Sequence, residues 1–232
     1  MNRIVLSAPG KNALSIAVLE RLRRDVETTH GEPFLLTGAG DVFCAGLNLK
    51  ELVTLDVAGV QRLLEALDGA VDALFHHPAP TAAWVNGHAI AGGCVLAMCC
   101  DVAVASSDPR IRIGLNETAL GLPLPPRITA LARHRLPPGA LERVLLGAGL
   151  HSPQEARALG LVDLVADDAA VVADDALGRL ASHPRAAYAR NKRQLRAGAL
   201  TSPEDGRIVS EILPLWSSPE TRSRALAALN AS

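Results

Sequence analysis

An α/β chain built on a parallel sheet is what this sequence predicts, and three observations carry the prediction. Short apolar, strand-like runs recur along the chain; they end in glycine-marked turns; and the turns lead into helices with apolar residues at helical spacing. Strand, glycine turn and helix in repetition is the order that builds parallel-sheet units.

The elements follow in order. Residues 3–7 read as a short strand, closed by Ala8-Pro-Gly-Lys-Asn12. Ser15 caps a helix over 16–29, whose Val18, Leu19, Leu22 and Val26 fall on one face. Residues 34–37 are a buried strand running into Gly38-Ala-Gly-Asp41, and the next helix begins near Leu49. A long helix over 57–75 stops before His77-Pro78 and Pro80, where proline forbids continuation. The pattern then repeats: strand 81–85, turn Asn86-Gly87, a small-residue stretch 89–93, an apolar helix 94–100 and a strand 101–106.

Composition narrows the class. The 232 residues fit one domain with a helical tail, and with 49% hydrophobic but only 3% aromatic residues the core must be built from Ala, Leu and Val. Lys and Arg total 23 against 24 Asp and Glu, which gives no field for nucleic acid or an anionic membrane. An anionic ligand must therefore be held locally. Residues 1–9 carry a single Arg and too short an apolar run for a signal peptide, and no window reaches the roughly 20 apolar residues of a membrane span. The expected location is cytoplasmic. Cys44, Cys94, Cys99 and Cys100 lack zinc-site spacing and read as buried free thiols.

Two glycine junctions, near Gly46 and Gly92, are expected in successive β-α units of one sheet. A helix N-terminus there offers unpaired N–H groups, and small residues let a ligand carbonyl approach the backbone. Two such sites facing each other hold one oxygen between two donors, as any reaction through an oxyanion requires. A Rossmann reading fails, because Gly38-Ala-Gly-Asp-Val-Phe43 lacks the third glycine of the dinucleotide fingerprint.

The order of motifs adds what glycines alone cannot. Asp41-Val-Phe-Cys-Ala-Gly-Leu-Asn-Leu-Lys-Glu51 and Trp84-Val-Asn-Gly-His-Ala-Ile-Ala-Gly-Gly-Cys-Val-Leu-Ala-Met-Cys-Cys-Asp101 resemble the two oxyanion segments of the crotonase (enoyl-CoA hydratase/isomerase) superfamily. The resemblance continues through Ile113-Gly-Leu-Asn-Glu-Thr-Ala-Leu-Gly-Leu122 and Gly149-Leu-His-Ser-Pro-Gln-Glu-Ala-Arg-Ala-Leu-Gly-Leu-Val-Asp163, covering residues 3–200. It implies a crotonase-like core of spiralling ββα units over residues 1–185, with an acyl-CoA site, and a C-terminal helical trimerisation region over 186–232. The chain starts almost directly at the strand before Gly10, so a leading strand or two customary in the family is expected to be short or missing.

Carried over position by position, the resemblance makes the backbone N–H groups of Leu47 and Gly92 the oxyanion donors. It lays coenzyme A along Ala45, Gly46, Leu47, Asn48 and Leu49, with Val95 and Asn116 beside the acyl group. No separate cofactor or metal is implied; coenzyme A arrives as part of the substrate. Hydratases of the family pair two glutamates, and this chain has Val95 at the first position and Glu117 at the second. The aspartate of dienoyl-CoA isomerases and a dehalogenase is replaced by Pro125.

A single carboxylate suffices to move a proton from C2 to C4 of an enoyl-CoA. The segment around Glu117 is similar to the mitochondrial-type Δ3,Δ2-enoyl-CoA isomerases, so that reaction is expected, with Glu117 as acid/base. Val95, Leu115, Leu120 and Leu122 are expected to wall it and raise its pKa. A hydratase-like or hydrolase-type crotonase and a non-catalytic acyl-CoA-binding protein are the alternatives. Glu117 has a structural competitor role, capping the turn or pairing with an arginine such as Arg112 or Arg127. Glu51 and Glu142 read as solvated and His88 as structural. Arg185, Arg190, Lys192, Arg193 and Arg196 either reach a CoA phosphate or solvate a helix face. The family's trimers and hexamers, with the Ala/Leu-rich tail over 203–229, imply a homotrimer or hexamer.

Overall fold

Every residue of the run Phe34-Leu-Leu-Thr-Gly38 is buried, as a central strand of a parallel sheet demands when helices cover both of its faces. The computed structural model describes residues 2–201 and 204–230; Met1 and Pro203, which open the expected core and the expected apolar tail, lie outside the described residues. Strand β1 (Asn2–Leu6) leads into a turn, α1 (Pro9–Asn12), with left-handed φ at Gly10, Lys11 and Asn12. Helix α2 (Ile16–Glu27) starts where Ser15 Oγ accepts from Val18 N. Strands β2 (Phe34–Gly38) and β3 (Val42–Cys44) follow, then α3 (Leu49–Leu52), capped by Asn48. Helix α4 (Val57–Phe75) begins at Asp56, whose carboxylate accepts from Gly59 N, and ends ahead of Pro78.

The second and third units repeat this order: β4 (Thr81–Val85), β5 (His88–Ile90) and α5 (Gly92–Cys99), then β6 (Val102–Ser106), β7 (Ile113–Gly114) and α6 (Pro126–Arg135). After α7 (Leu141–Leu145) and α8 (Pro153–Ala158) come β8 (Leu164–Ala166) and α9 (Ala169–Ala181). Helices α10 (Arg185–Arg196), α11 (Asp205–Trp216) and α12 (Pro219–Asn230) complete the chain.

One sheet has five parallel strands in the order β1-β2-β4-β6-β8, and a second has three in the order β3-β5-β7. Each ββα unit gives one strand to each sheet. Both glycine junctions do share one sheet, as expected, and it is the three-stranded one: Gly46 follows β3 and Gly92 follows β5, which pair with each other. The reason is local: Asn86 Nδ2 donates to Gly38 O (3.0 Å) and Gly40 O (2.9 Å), and its Oδ1 accepts from Gly38 N, pinning the point where the chain leaves one sheet for the other. The helix expected over 94–100 starts two residues earlier, at Gly92, because all eight of its residues are buried and packing overrides the weak propensity of Gly-Gly.

The basic helix α10 corrects another expectation. Lys192 and Arg196 neither solvate a face nor reach a ligand: both are buried, and they donate to Asp101 at 2.8 and 2.7 Å. Arg196 also donates to Phe75 O, at the end of α4. Arg185 pairs with Glu32. All four cysteines are free and buried. No helix among the described residues is long and apolar enough to cross a membrane.

Candidate functional site

Gly46 lies at φ +89°, and a Cβ there would stand 2.8 Å from Ile90 O and 3.5 Å from Gly92 N. Only glycine lets the two junctions touch. Behind them, Leu14 bridges Leu47: its N–H donates to Gly46 O at 2.8 Å and its C=O accepts from Asn48 N at 2.9 Å. In such a parallel bridge the N–H of Leu47 itself is turned away from Leu14. Gly92 is the first residue of α5, whose opening hydrogen bond runs from Val95 N to Ala91 O. Its N–H is therefore one of the helix's unpaired donors. A Cβ on Gly92 would lie 3.8 Å from Leu47 N, so the two N–H groups are neighbours, and neither has a protein acceptor among the described residues.

Ala91 holds this corner at φ +51°, ψ −121°, a conformation that alanine rarely adopts. Its N–H is anchored on Gly114 O at 2.8 Å. Backbone strain of this kind collects where the surrounding structure over-determines a site.

Glu117 projects from the turn after β7. It is 7% exposed, and its Oε2 has no hydrogen-bond partner. Val95, Leu115 and Leu122 around it are buried, and Leu120 partly so. Burial pushes its carboxyl up to about 7, against an ordinary 4.5. The competing arginine pairing is not seen: Arg112 donates to Pro109 O and Ile111 O, while Arg127 pairs with Asp72 and Asp68.

A cavity of about 530 Å³ brings Ala45, Leu47, Asn48, Leu49, Gly92, Val95, Asn116 and Glu117 together. Gly46 is not among its walls and backs the junction instead. Asn48 turns its Oδ1 to cap Glu51 N, whereas Asn116 Oδ1 is buried and unpartnered. His88 lines the cavity and accepts from Arg112 N through Nδ1. Glu51, read as solvated, accepts from Ile16 N and closes the start of α2. Sequence reasoning missed Lys11, Leu67, Ile128, Trp216, Ala228 and Leu229, which also line the cavity. Trp216, one of two tryptophans in an aromatic-poor chain and set in an apolar stretch, was the available signal.

Parallel ββα units that pair two backbone donors on a minor sheet, across a cavity from a buried carboxylate, are the crotonase class of architecture. The sequence profile of the enoyl-CoA hydratase/isomerase family matches residues 2–211, and the chain belongs to that family. Human mitochondrial delta3-delta2-enoyl-CoA isomerase superposes with a TM-score of 0.91 at 25% identity, covering 99% of this chain and 93% of that one. Enoyl-CoA hydratase of Bacillus halodurans gives 0.84 at 21% identity over 97% and 95% of the two chains, a likeness of fold. Among curated proteins, mouse enoyl-CoA hydratase domain-containing protein 3 is 34% identical over 71% of this chain and 56% of its own length. Human enoyl-CoA delta isomerase 1 is 31% identical over 68% and 54%. The chain thus spans little more than half the length of these curated relatives, and 18% of a Penicillium crustosum relative.

Proposed function

We propose that the protein is a Δ3,Δ2-enoyl-CoA isomerase in which Glu117 carries a proton between C2 and C4 of a thioester. The observation that carries this reading is that Glu117 is, among the described residues, the only carboxylate lining the cavity, buried, with one oxygen unpartnered and its pKa brought to about 7. A base that must both take and return a proton works best with a pKa near the operating pH. Removing the C2 proton places charge on the thioester oxygen, and the N–H groups of Leu47 and Gly92 receive it; each donor lowers the barrier by roughly 3 kcal/mol. Val95 keeps water from the face where a second glutamate would activate it. Asn116 steadies the substrate beside Glu117.

On this reading the substrate is an acyl-CoA thioester and no further cofactor takes part. Residues 1–185 form the catalytic core and residues 186–232 the region through which three copies, or two sets of three, assemble. A panel of 3-enoyl-, 2-enoyl- and 3-hydroxyacyl-CoA in deuterated buffer tests it. Conversion of the 3-enoyl to the 2-enoyl ester is expected, with any solvent label gained on conversion entering at C4, where the proton is returned; efficient hydration of the 2-enoyl ester overturns the single-base mechanism.

A further inference from the structure

The cavity has two unlike ends. At one, Lys11 and Lys50 are exposed and His88 is partly so, which marks the mouth. At the other, Leu67 from α4, Leu122, Pro125, Ile128 from α6 and Trp216 from α11 are all buried. Asn116 and Glu117 line the same cavity from the turn that leads from β7 to Leu122 and Pro125. Trp216 is 2% exposed, and its one polar atom is already used: Nε1 donates to Pro123 O at 2.8 Å, tying the indole six residues beyond Glu117. The five buried residues therefore offer no free donor or acceptor to whatever enters.

We infer that Trp216 is a specificity-determining residue, the stop against which the far end of a purely hydrocarbon acyl chain comes to rest. The inference deepens the acyl-thioester reading and rests on it. A polar group at the chain's far end would lose its water and gain no partner, at a cost of a hundredfold or more in affinity. Each methylene fitted before the stop gains about fourfold; methylenes beyond it gain nothing. The residue comes from the C-terminal helices, so length selection is delegated to a part of the chain that contributes neither the paired donors nor the carboxylate.

Binding of saturated acyl-CoA thioesters from butanoyl to hexadecanoyl, followed by calorimetry, tests this without requiring turnover. In the wild-type protein affinity is expected to climb by about fourfold per methylene and then level off. Trp216→Phe and Trp216→Leu are expected to move the levelling-off point to longer chains by one or more methylenes. Ile128→Ala, which opens the same end from α6, is expected to do likewise and stands in should the Trp216 variants fold poorly. A levelling-off point that stays put in folded variants overturns the inference, as does equal affinity for an ω-carboxyacyl-CoA. If length-dependent binding is seen but no double-bond migration, the isomerase reading fails and the role of Trp216 stands. If no acyl-CoA of any length binds, both fail.

Discussion

Asp101 and Glu117 are both largely shielded carboxylates, the first half-buried as a residue with its side chain 9% exposed, the second buried and 7% exposed as a residue. Around Asp101 every direction is answered: Lys192 Nζ and Thr81 N donate to Oδ2, both at 2.8 Å, and Arg196 donates to Oδ1 at 2.7 Å. Around Glu117 there is hydrocarbon, and Oε2 is left with nothing. The first arrangement joins α10 to the end of α4 and the start of the β6 strand; the second leaves a group whose charge is costly and whose proton is mobile. What separates a structural carboxylate from a reactive one in this fold is the supply of partners, since both are largely shielded.

Glu117→Gln should break the comparison hardest. Activity is expected to fall by about 100-fold to 10,000-fold, with acyl-CoA affinity retained. Stability should move the other way. The carboxyl is raised from 4.5 to about 7 in the folded protein, so the native state holds a proton that the unfolded chain has lost between those values. Stability from this group is full below pH 4.5 and declines as pH rises to about 7. Glutamine, which never ionises, should therefore raise the melting temperature at pH 8 and leave it nearly unchanged at pH 4. A variant that melts lower at pH 8 would show that Glu117 has a partner after all.

Asp101→Ala strands two buried cations and is expected to cost about 3–5 kcal/mol in denaturant unfolding. A loss under 1 kcal/mol would mean that Lys192 and Arg196 find water on their own. The pH profile comes next in size. Because the base must be ionised to accept the first proton, kcat/KM is expected to fall about tenfold per unit below pH 7 and to plateau above it. The smallest effect sharpens the comparison from the side of charge. Val95→Glu places a like charge beside Glu117, and the midpoint of the profile should move up by about one unit in the folded variant. A midpoint that drops would mean that the new group turns away from the cavity.

The sequence was most legible where punctuation is strong. Helix α4 and strand β4 have the expected limits, because Asp56 caps one and Pro78 and Pro80 separate them. The minor sheet was not legible as a sheet: β3, β5 and β7 are two or three residues long, too short for any alternation to show. The chosen wall residues other than Gly46 do meet in one cavity, since motif spacing carries over where the backbone route is the same. Lys192 and Arg196 were misread because a cation on an amphipathic helix looks solvated until its carboxylate is known. Asp101, a lone acid directly after the apolar run Cys94-Val-Leu-Ala-Met-Cys-Cys100, was the clue. Nothing in spacing could place Trp216, Ala228 or Leu229 against residues so far back in the chain, 93 positions in the case of Trp216 and Pro123.

That distance has a consequence for how the protein comes into being. The cavity is bounded by stretches near positions 9–13, 45–50, 88–95, 116–128 and 216–229, joined through parallel strands whose pairings are all long-range. Long-range pairing is slow to form. The core around β2 and β4 can assemble from the first half of a nascent chain, while the trough that α11 and α12 roof stays open until those helices have been made. For that interval this apolar concavity faces solvent, and exposed hydrophobic surface of that kind is prone to aggregation.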